Sequence, residues 1–301
     1  MKQWLVAAGV LFFVLQSTQA LCWHSGPHRV IAQIAYDHLS PHAKKTFNHY
    51  NDALNQHYTP QNFVNASNWL DELHQSDVYW FSTMHYLSWF FTEDGSPLPA
   101  SQEVNAIWAV EEAIKVLKSP KAGDFDKGLS LRMLIHVLGD LHQPLHVATR
   151  VSQKYPEGDR GGNLLRLGKN AIATNLHFYW DSGGGYFIPH RQYSNAQIQQ
   201  MARQLEALMP CSTDEMDNNP NQWAKESHEL AITLAYHINA GDVPDQKYQE
   251  ATQAISKERM AIAGCRLASL LNQIDLTISK LNRAAAMRTT TSRVANNYFL
   301  G

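Results

Sequence analysis

One short segment constrains the fold of this chain more than any other, because it places ionisable side chains inside an apolar helical pattern. From His136 to His146 it reads His-Val-Leu-Gly-Asp-Leu-His-Gln-Pro-Leu-His. Residues four apart share one face of an α-helix, so His136 and Asp140 are placed to bind one common partner. A proline cannot continue a helix, so Pro144 ends it and lets His146 turn back. The segment predicts a buried helix that presents polar groups to the interior.

Helical periodicity extends over most of the remaining chain. Ser40 precedes Pro41, and an N-cap residue followed by a first-turn proline predicts a helix start. Apolar residues recur at steps of three and four in five stretches: Ile107 to Leu117, Leu129 to Leu141, Gln197 to Leu208, Trp223 to Ile238, and about Lys247 to Leu281. Strand patterns are nearly absent. We therefore predict an all-α fold, a single compact domain of roughly eight or more helices.

Two stretches depart from this pattern. Residues 155–167 are rich in proline and glycine, which predicts an irregular loop or a short hairpin. The tail, residues 284–301, has no clear amphipathic period, and we expect part of it to lack regular structure. No linker or internal repeat divides the chain, so residues 23–283 are predicted to form one domain.

The N-terminus has the pattern of a secretory signal peptide, with a positive lead, an apolar run from Leu5 to Leu15 and a polar patch. The run is shorter than the roughly 18 residues of a membrane-spanning helix. A cut before Trp23 has the small residues Ala20 and Cys22 at the positions that signal peptidase prefers, and a cut after Ala20 is the main alternative. We expect residues 1–22 to be removed and the mature protein to be exported, either to a periplasm or into the medium.

The cysteines leave two alternatives open. A lipoprotein reading of Cys22 is disfavoured, because leucine is expected where Gln19 stands. The mature chain then keeps Cys211 and Cys265. In an exported protein these two could form a disulfide or remain two free buried thiols, and their spacing does not decide between them.

The charge balance excludes one class of function. The formal net charge is −2, and it becomes −3 when Lys2 is removed with the leader. No basic stripe of the kind that neutralises duplex phosphates is present. If the protein binds phosphate, metal ions must supply most of the positive charge.

Histidine is unusually frequent, with 15 residues, and several lie near acids in metal-ligand patterns. His177 and Asp181 repeat the spacing of four, while Asp71 and His85 each stand beside large aromatic residues. A helix that starts near Pro27 would point His28 towards the N-terminus. Imidazole and carboxylate are common ligands of zinc. Taken singly, each residue is more often an ordinary polar side chain, but together they predict a metal site.

The full set resembles the single-strand-specific zinc nucleases and 3'-nucleotidases, which belong with the zinc-dependent phospholipases C in one helical superfamily. The resemblance runs from Trp23 to about Asn272 and includes the motif Gly-Asp-Arg-Gly-Gly-Asn that begins at Gly158. All nine expected ligand positions are filled in order: Trp23, His28, Asp71, His85, His136, Asp140, His146, His177 and Asp181.

This resemblance implies three zinc ions. The implied sets are Asp71, His85, His136 and Asp140 for one ion, His146, His177 and Asp181 for a second, and His28, Asp140 and the terminal amino and carbonyl groups of Trp23 for the third. An α-amino group has a pKa of about 7.7 to 8 and can lose its proton to a metal. The resemblance gives Asp140 and Asp71 the catalytic role of holding a zinc-activated hydroxide, with no protein nucleophile.

The implied reaction is hydrolysis of phosphoesters at the 3'-oxygen of single-stranded DNA, RNA or a 3'-nucleotide, giving 5'-nucleotides or a nucleoside. Tyr86 is the candidate for stacking on a base, although a core tyrosine is an equal alternative. Two positions depart from the family pattern, since His74 replaces a phosphate-binding arginine and Ser88 replaces a base-reading aspartate. Arg160 in the glycine-rich motif could replace the missing cation or be a solvated surface residue. Asn163 of the same motif is a further candidate contact.

Two other functions stay open from the sequence. A phospholipase C acting on lipid head groups would use the same ions. In that branch the gap from the terminal Trp to the first His is longer and the last acidic ligand is a glutamate, so His28 and Asp181 favour the nuclease, whereas Ser88 pulls slightly the other way. A non-catalytic zinc-binding protein would have closed coordination shells, whereas a hydrolase needs open positions for water and substrate.

Overall fold

The computed structural model describes residues 25–76, 78–212 and 216–298. Nine α-helices dominate this part of the chain: α1 Ser25–Asp37, α2 Pro41–Asn55, α3 Trp69–Gln75, α4 Ala106–Lys118, α5 Asp124–Leu141, α6 Leu176–Asp181, α7 Asn195–Leu208, α8 Pro220–Leu230 and α9 Gln246–Tyr298. Two short strands, β1 Phe90–Thr92 and β2 Thr149–Val151, pair in parallel. The predicted all-α class is confirmed. Residues 1–22 and Trp23 lie outside the described residues.

The helix starts follow the predicted capping chemistry. The Ser40 side chain accepts a hydrogen bond from the backbone N–H of Ala43 at 3.0 Å, and proline occupies the first turn of α2. Asn105 caps α4 in the same way, and Ser194 forms a capping box at the start of α7. Side-chain oxygens thus satisfy N–H groups that have no partner inside the helix.

Helix α5 is the centre of the domain. It packs against α1, α2, α3, α4, α8 and α9, and nearly all its residues from Lys127 onwards are buried. A helix buried on all sides is apolar all round except where its polar side chains meet partners inside the protein. The C-terminal part of α5 is therefore where the fold brings ionisable groups from several helices together.

Two predicted helices differ in extent from the observed ones. The stretch from Trp223 to Ile238 is α8 followed by a π-helical stretch, Ala231–Ala235. Helix α9 continues to Tyr298, into the tail of which we expect part to lack regular structure, and residues 299–301 lie outside the described residues. That tail begins with three alanines, which favour helical backbone without needing a buried face, so the missing amphipathic period did not exclude a helix.

The glycine-rich stretch forms an irregular loop, held by isolated bridges between Ser152 and Tyr155 and between Arg166 and Asn175. Cys211 and Cys265 form a disulfide with a Cα–Cα distance of 5.4 Å, which joins the segment after α7 to α9 and resolves the alternative left open by the sequence. Among the described residues, no helix is both long and apolar enough to cross a bilayer.

Candidate metal centre

The fold brings the eight side chains with ligand-like spacing into one buried cluster. They come from α1, α3, α5, α6 and two short turns, Ser82–His85 and Pro144–His146. Three groups of side chains have ligand atoms within 4.8 Å of one another: His28, His136 and Asp140; Asp71, His85 and His136; and His146, His177 and Asp181. We call these eight residues the ligand cluster. Trp23, the ninth predicted position, lies outside the described residues.

Asp140 stands at the centre of the ligand cluster and is fully buried. Its Oδ1 lies 3.3 Å from His28 Nε2 and 3.5 Å from His146 Nδ1. Its Oδ2 lies 3.1 Å from His85 Nδ1 and 3.3 Å from His136 Nε2. The two oxygens of one carboxylate therefore face different groups, which is the geometry that a bridging ligand requires.

Three of the imidazoles are oriented by backbone carbonyls. Since a carbonyl oxygen can only accept, Nδ1 of each ring donates: His136 to Ser67 at 2.6 Å, His146 to His85 at 2.9 Å, and His177 to Gly161 at 2.7 Å. In the neutral ring the proton on Nδ1 leaves the lone pair on Nε2. Such outer contacts fix both the tautomer and the ring direction of metal-binding histidines.

His28 and Asp71 are brought next to the cluster residues of α5 by the helices α1 and α3. Any side chain at Gly139 would meet the His28 ring, because a Cβ there would lie 2.9 Å from Nδ1. The His28 ring stacks on His136 with ring centroids 4.0 Å apart. Asp71 Oδ1 lies 3.6 Å from His136 Nε2 and 4.0 Å from His85 Nδ1. The absence of a side chain on α5 thus lets α1 deliver an imidazole to the cluster.

Gln143 is a residue of the site that the sequence analysis missed. It is fully buried, and its Nε2 donates to Asp181 Oδ1 at 2.7 Å. Its Oε1 accepts from the backbone N–H of Leu145 at 2.6 Å, so both ends of the amide are held. The only signal in the sequence was its position between two histidines of the central segment. Gln143 fixes the direction of the Asp181 carboxylate.

The buried charges act strongly on one another. Burial lowers the pKa of His136, but Asp140 and Asp71 outweigh it and raise that pKa to about 9. His146 has a pKa of about 9 for the same reason, since Asp140 and Asp181 outweigh its burial. Burial opposes ionisation of Asp140, yet the adjacent imidazoles hold its pKa well below the usual range. The carboxylates therefore favour positive charge around His136 and His146, whereas burial lowers the pKa of His28 and of His177.

The donor set fits metal ions. Asp71 Oδ1, Asp140 Oδ1 and His146 Nε2 are buried and have no hydrogen-bond partner among the described residues. Buried polar atoms without partners are rare and call for a ligand. Convergent carboxylate oxygens and imidazole nitrogens are the donors that zinc and similar divalent cations prefer. The three groups can therefore hold metal ions.

A cavity of about 540 Å³ opens beside the ligand cluster. Three of its lining residues belong to the cluster: His85, His146 and His177. Four of the five residues predicted to contact substrate also line it: Tyr86, Ser88, Arg160 and Asn163. The fifth, His74, is part of α3, but its side chain lies outside the described part of the structure. The side-chain exposure of Tyr86 is 40%, which rules out the core alternative for this residue.

The cavity has further polar and aromatic residues that the sequence did not single out: Tyr79, Ser82, Phe90, Thr149 and Glu157. Phe90 and Thr149 are register partners in the pairing of β1 with β2. This pairing joins segments far apart in the chain, and neither three-residue strand is long enough to show a period. Only Glu157, beside the glycine-rich motif, could have been suspected from its position.

An all-α domain in which buried acids and imidazoles meet beside an open cavity is the arrangement expected of a hydrolase that uses metal ions. The sequence model of S1/P1 nucleases matches residues 23–275, and the chain belongs to this family. It is therefore a hydrolase of phosphodiester bonds that acts on nucleic acid. The resemblance inferred from the ligand pattern is confirmed.

Individual relatives cover most of the chain at low identity. Endonuclease 4 of Arabidopsis thaliana is 24% identical, over 91% of this chain and 95% of the relative. Nuclease S1 of Aspergillus oryzae is 24% identical, over 84% and 91%. Nuclease P1 of Penicillium citrinum is 21% identical, over 84% and 97%. The chain thus aligns with nearly the full length of these proteins.

Proposed function

We propose that this protein is an exported, zinc-dependent endonuclease and 3'-nucleotidase. It hydrolyses the bond to the 3'-oxygen in single-stranded DNA and RNA and releases 5'-nucleotides. The observation that carries the proposal is the position of Asp140, whose two oxygens face separate groups of imidazoles beside an open cavity. A purely storage or scavenging site would need no such cavity.

The proposed ions have the following holders: Asp71, His85, His136 and Asp140 for the first, His146, His177 and Asp181 for the second, and His28, Asp140 and the terminus of Trp23 for the third. Zinc bound there supplies Lewis acidity, which lowers the pKa of water and neutralises phosphate charge. Asp140 and Asp71 act by holding this charge next to the cavity. The backbone carbonyls and Gln143 keep the ligands in place.

The preference for single strands follows from Tyr86. Tyr86 and Ser88 both line the cavity, and the Tyr86 ring is partly exposed. A base can stack on an aromatic ring only when one of its faces is open, and in a duplex the stacked neighbouring base pairs cover both faces. Ser88 and Asn163 are the proposed hydrogen-bonding partners, and His74 is a proposed further contact.

Export is supported by the N-terminal pattern and by the disulfide between Cys211 and Cys265, which forms in oxidising compartments. Removal of the leader would expose the amino group of Trp23, and this makes its ligand role testable. A protein extended by one residue before Trp23 keeps every side-chain ligand but moves the terminal amine. We expect it to lose one zinc ion and most of its activity, and full activity in the extended protein would remove Trp23 from the ligand set.

The proposed function is tested by a substrate panel on zinc-loaded protein that begins at Trp23. The panel contains single-stranded DNA, the same DNA as a duplex, RNA, 3'-AMP and phosphatidylcholine, each with a chelator-treated control. We expect cleavage of both single-stranded polymers and of 3'-AMP, with slower cleavage of the duplex. Release of phosphocholine without cleavage of any nucleotide would replace the proposal by a phospholipase C.

A further inference from the structure

Arg160 is the only lysine or arginine among the described residues that line the cavity. A phosphodiester carries one negative charge on its two non-bridging oxygens, and a guanidinium binds such oxygens with two parallel donors. Among the described lining residues, Arg160 is thus the one whose positive charge belongs neither to the ligand cluster nor to an imidazole. The family's usual cation is absent, since His74 stands at that position.

The backbone of Arg160 is held in an unusual conformation. Its φ is 56°, and His190 is the only other non-glycine residue with positive φ in the described part of the chain. Left-handed backbone is costly for a residue with a side chain, and such residues concentrate at functional sites. The Arg160 carbonyl accepts two hydrogen bonds from Asn163, from the backbone N–H at 3.2 Å and from Nδ2 at 2.9 Å. These bonds close the turn that holds Arg160.

Asp159 holds the backbone of the same loop through hydrogen bonds inside the protein. It is almost fully buried, and its Oδ1 accepts from the backbone N–H of Arg150 at 3.1 Å, from that of Gly162 at 3.0 Å and from the hydroxyl of Tyr236 at 2.8 Å. A carboxylate that receives three donors fixes the backbone on either side of it. Arg160, the next residue, therefore projects from a rigid base.

The loop also contacts the ligand cluster directly. The Gly161 carbonyl accepts from Nδ1 of His177 at 2.7 Å. A Cβ at Gly161 would lie 2.4 Å from the carbonyl oxygen of Leu145, so only glycine can bring the loop this close. The residue after Arg160 thus orients a candidate metal ligand, and the guanidinium and the ligand cluster share one piece of backbone.

The Arg160 side chain is exposed and forms no ion pair with any described residue. Glu157 lines the same cavity but forms no ion pair with Arg160. Burial raises the pKa of Tyr86, and the charge of Arg160 opposes this rise, so the guanidinium lies within electrostatic range of the proposed base platform. A cation on a rigid loop, without a carboxylate partner, is available to an anion.

We infer that Arg160 is a substrate-contacting catalytic residue whose guanidinium binds a non-bridging oxygen of the phosphate that is cleaved. This inference rests on the proposed function and deepens it. Because the loop fixes the backbone of Arg160 at the cavity, its guanidinium can reach these oxygens and stabilise the charge that increases on them during the reaction.

Two variants test this role. Arg160→Gln removes the charge and keeps a side chain, while Arg160→Gly removes the side chain and suits the left-handed backbone. We expect both to lower kcat/KM for a single-stranded oligonucleotide and for 3'-AMP by about 100-fold, with unchanged zinc content. Added guanidinium ion is expected to restore part of the activity of Arg160→Gly. Arg166→Gln is the matched control, because Arg166 is exposed on the same segment but does not line the cavity.

The outcomes separate this inference from the proposed function. If the zinc-loaded wild type cleaves no nucleic acid, the proposed function fails first. If the wild type is active and both Arg160 variants stay within threefold of it, the inference on Arg160 is wrong. Loss of zinc in both variants, or no rescue by guanidinium, would show that the loop only supports His177. A decrease in Arg166→Gln equal to that in Arg160→Gln would also contradict a specific phosphate contact.

Discussion

Two buried polar clusters lie near the C-terminal end of α5, and they differ in how their charges are satisfied. On one side is the ligand cluster around Asp140. On the other is a group that we call the arginine cluster, which consists of His142, Glu226, Arg259 and Arg266. Both groups are largely removed from water, but in the arginine cluster the two guanidinium groups both donate to one shared carboxylate, that of Glu226.

The arginine cluster is closed by hydrogen bonds, apart from Nε of Arg266, which is buried and has no partner among the described residues. Arg266 donates to both oxygens of Glu226, at 2.7 and 2.8 Å, and to Nε2 of His142 at 3.0 Å. Arg259 donates to Glu226 at 2.9 Å and to Ser227 at 3.0 Å. Burial and the two guanidinium groups hold the pKa of His142 well below its usual range, so its ring is neutral and accepts. This cluster joins α5, α8 and α9.

The ligand cluster, by contrast, is not closed by its own hydrogen bonds. Its imidazole nitrogens and carboxylate oxygens converge, and Asp71 Oδ1, Asp140 Oδ1 and His146 Nε2 have no hydrogen-bond partner among the described residues. The comparison teaches how to separate buried polar groups that support the fold from those that bind a ligand. Buried polar side chains that form hydrogen bonds with one another support the fold. Buried acceptor atoms that converge without enough hydrogen-bond donors form a binding site for a cation.

The largest expected effect is on the ligand cluster. Asp140→Asn keeps the shape of the side chain but removes the charge that faces two metal groups. Loss of an outer contact typically costs 10–100-fold in metal affinity or activity, so loss of a shared ligand is expected to cost more than about 100-fold in kcat/KM. Zinc content and cleavage of single-stranded DNA are the measurements.

The matched control is Asp275→Asn, a buried acid on α9 that bonds His42 and Thr46. It is expected to lower stability but not zinc content. His177→Ala, which touches one metal group only, is expected to be milder than Asp140→Asn. The bridging role of Asp140 would be contradicted by a variant that keeps two or more ions and activity within tenfold of wild type.

Substitution of Gln143, which bonds a residue of the same cluster, is expected to have a smaller effect than substitution of Asp140. Gln143→Ala removes the hydrogen bond to Asp181 and leaves the ligands in place. We expect zinc affinity to fall roughly 10–100-fold, as is usual when an outer contact is lost. Competition titration with a zinc indicator measures it, and excess zinc is expected to restore activity. Activity that excess zinc does not restore would show that Gln143 does more than position Asp181.

The arginine cluster is expected to respond in stability and not in activity. Glu226→Gln leaves two buried guanidinium groups without their carboxylate. Breaking a fully buried pair costs about 3–5 kcal/mol, but Glu226 is partly exposed, so we expect roughly 1–3 kcal/mol in the free energy of unfolding. Urea unfolding measures this loss. A large fall in kcat/KM at full zinc loading would erase the distinction between the two clusters.

The smallest effect is the response of the arginine cluster to acid. Burial opposes ionisation of Glu226, but Arg266 and Arg259 lower its pKa from 4.5 to about 2. Because the folded pKa is below the unfolded one, this contribution to stability is present above about pH 4.5 and is lost as the pH falls towards about 2.

Urea unfolding of metal-free wild type and Glu226→Gln between about pH 5.5 and about pH 3 tests this, since both proteins share all other titrating groups. The stability gap between them is expected to narrow as the pH falls. A gap that stays constant or widens over this range would contradict the low pKa of Glu226.

The sequence predicted the helices and most of the cluster because both depend on local spacing. His136 and Asp140 are one turn apart, as are His177 and Asp181, and the cap at Ser40 needs only neighbouring residues. The resemblance to a family added Asp71, His85 and His28, which no spacing connects to α5.

The rest depends on contacts between distant segments. Gln143 became part of the site only when α6 was placed beside the turn after α5, and Phe90 only when β1 met β2. The arginine cluster joins three helices and leaves no local pattern, so spacing predicted no role for His142, and only the family resemblance left it out of the ligand set. Pairing of Cys211 with Cys265 likewise required the fold.

The most direct test of the central claim is a zinc titration of chelator-treated protein, followed by hydrolysis of single-stranded DNA. The claim is that the ligand cluster, and not a protein nucleophile, provides the catalytic charge. It predicts no cleavage without metal and recovery of activity as zinc approaches three ions per chain. Cleavage at an unchanged rate in the metal-free protein, with the His and Asp clusters empty, would contradict it.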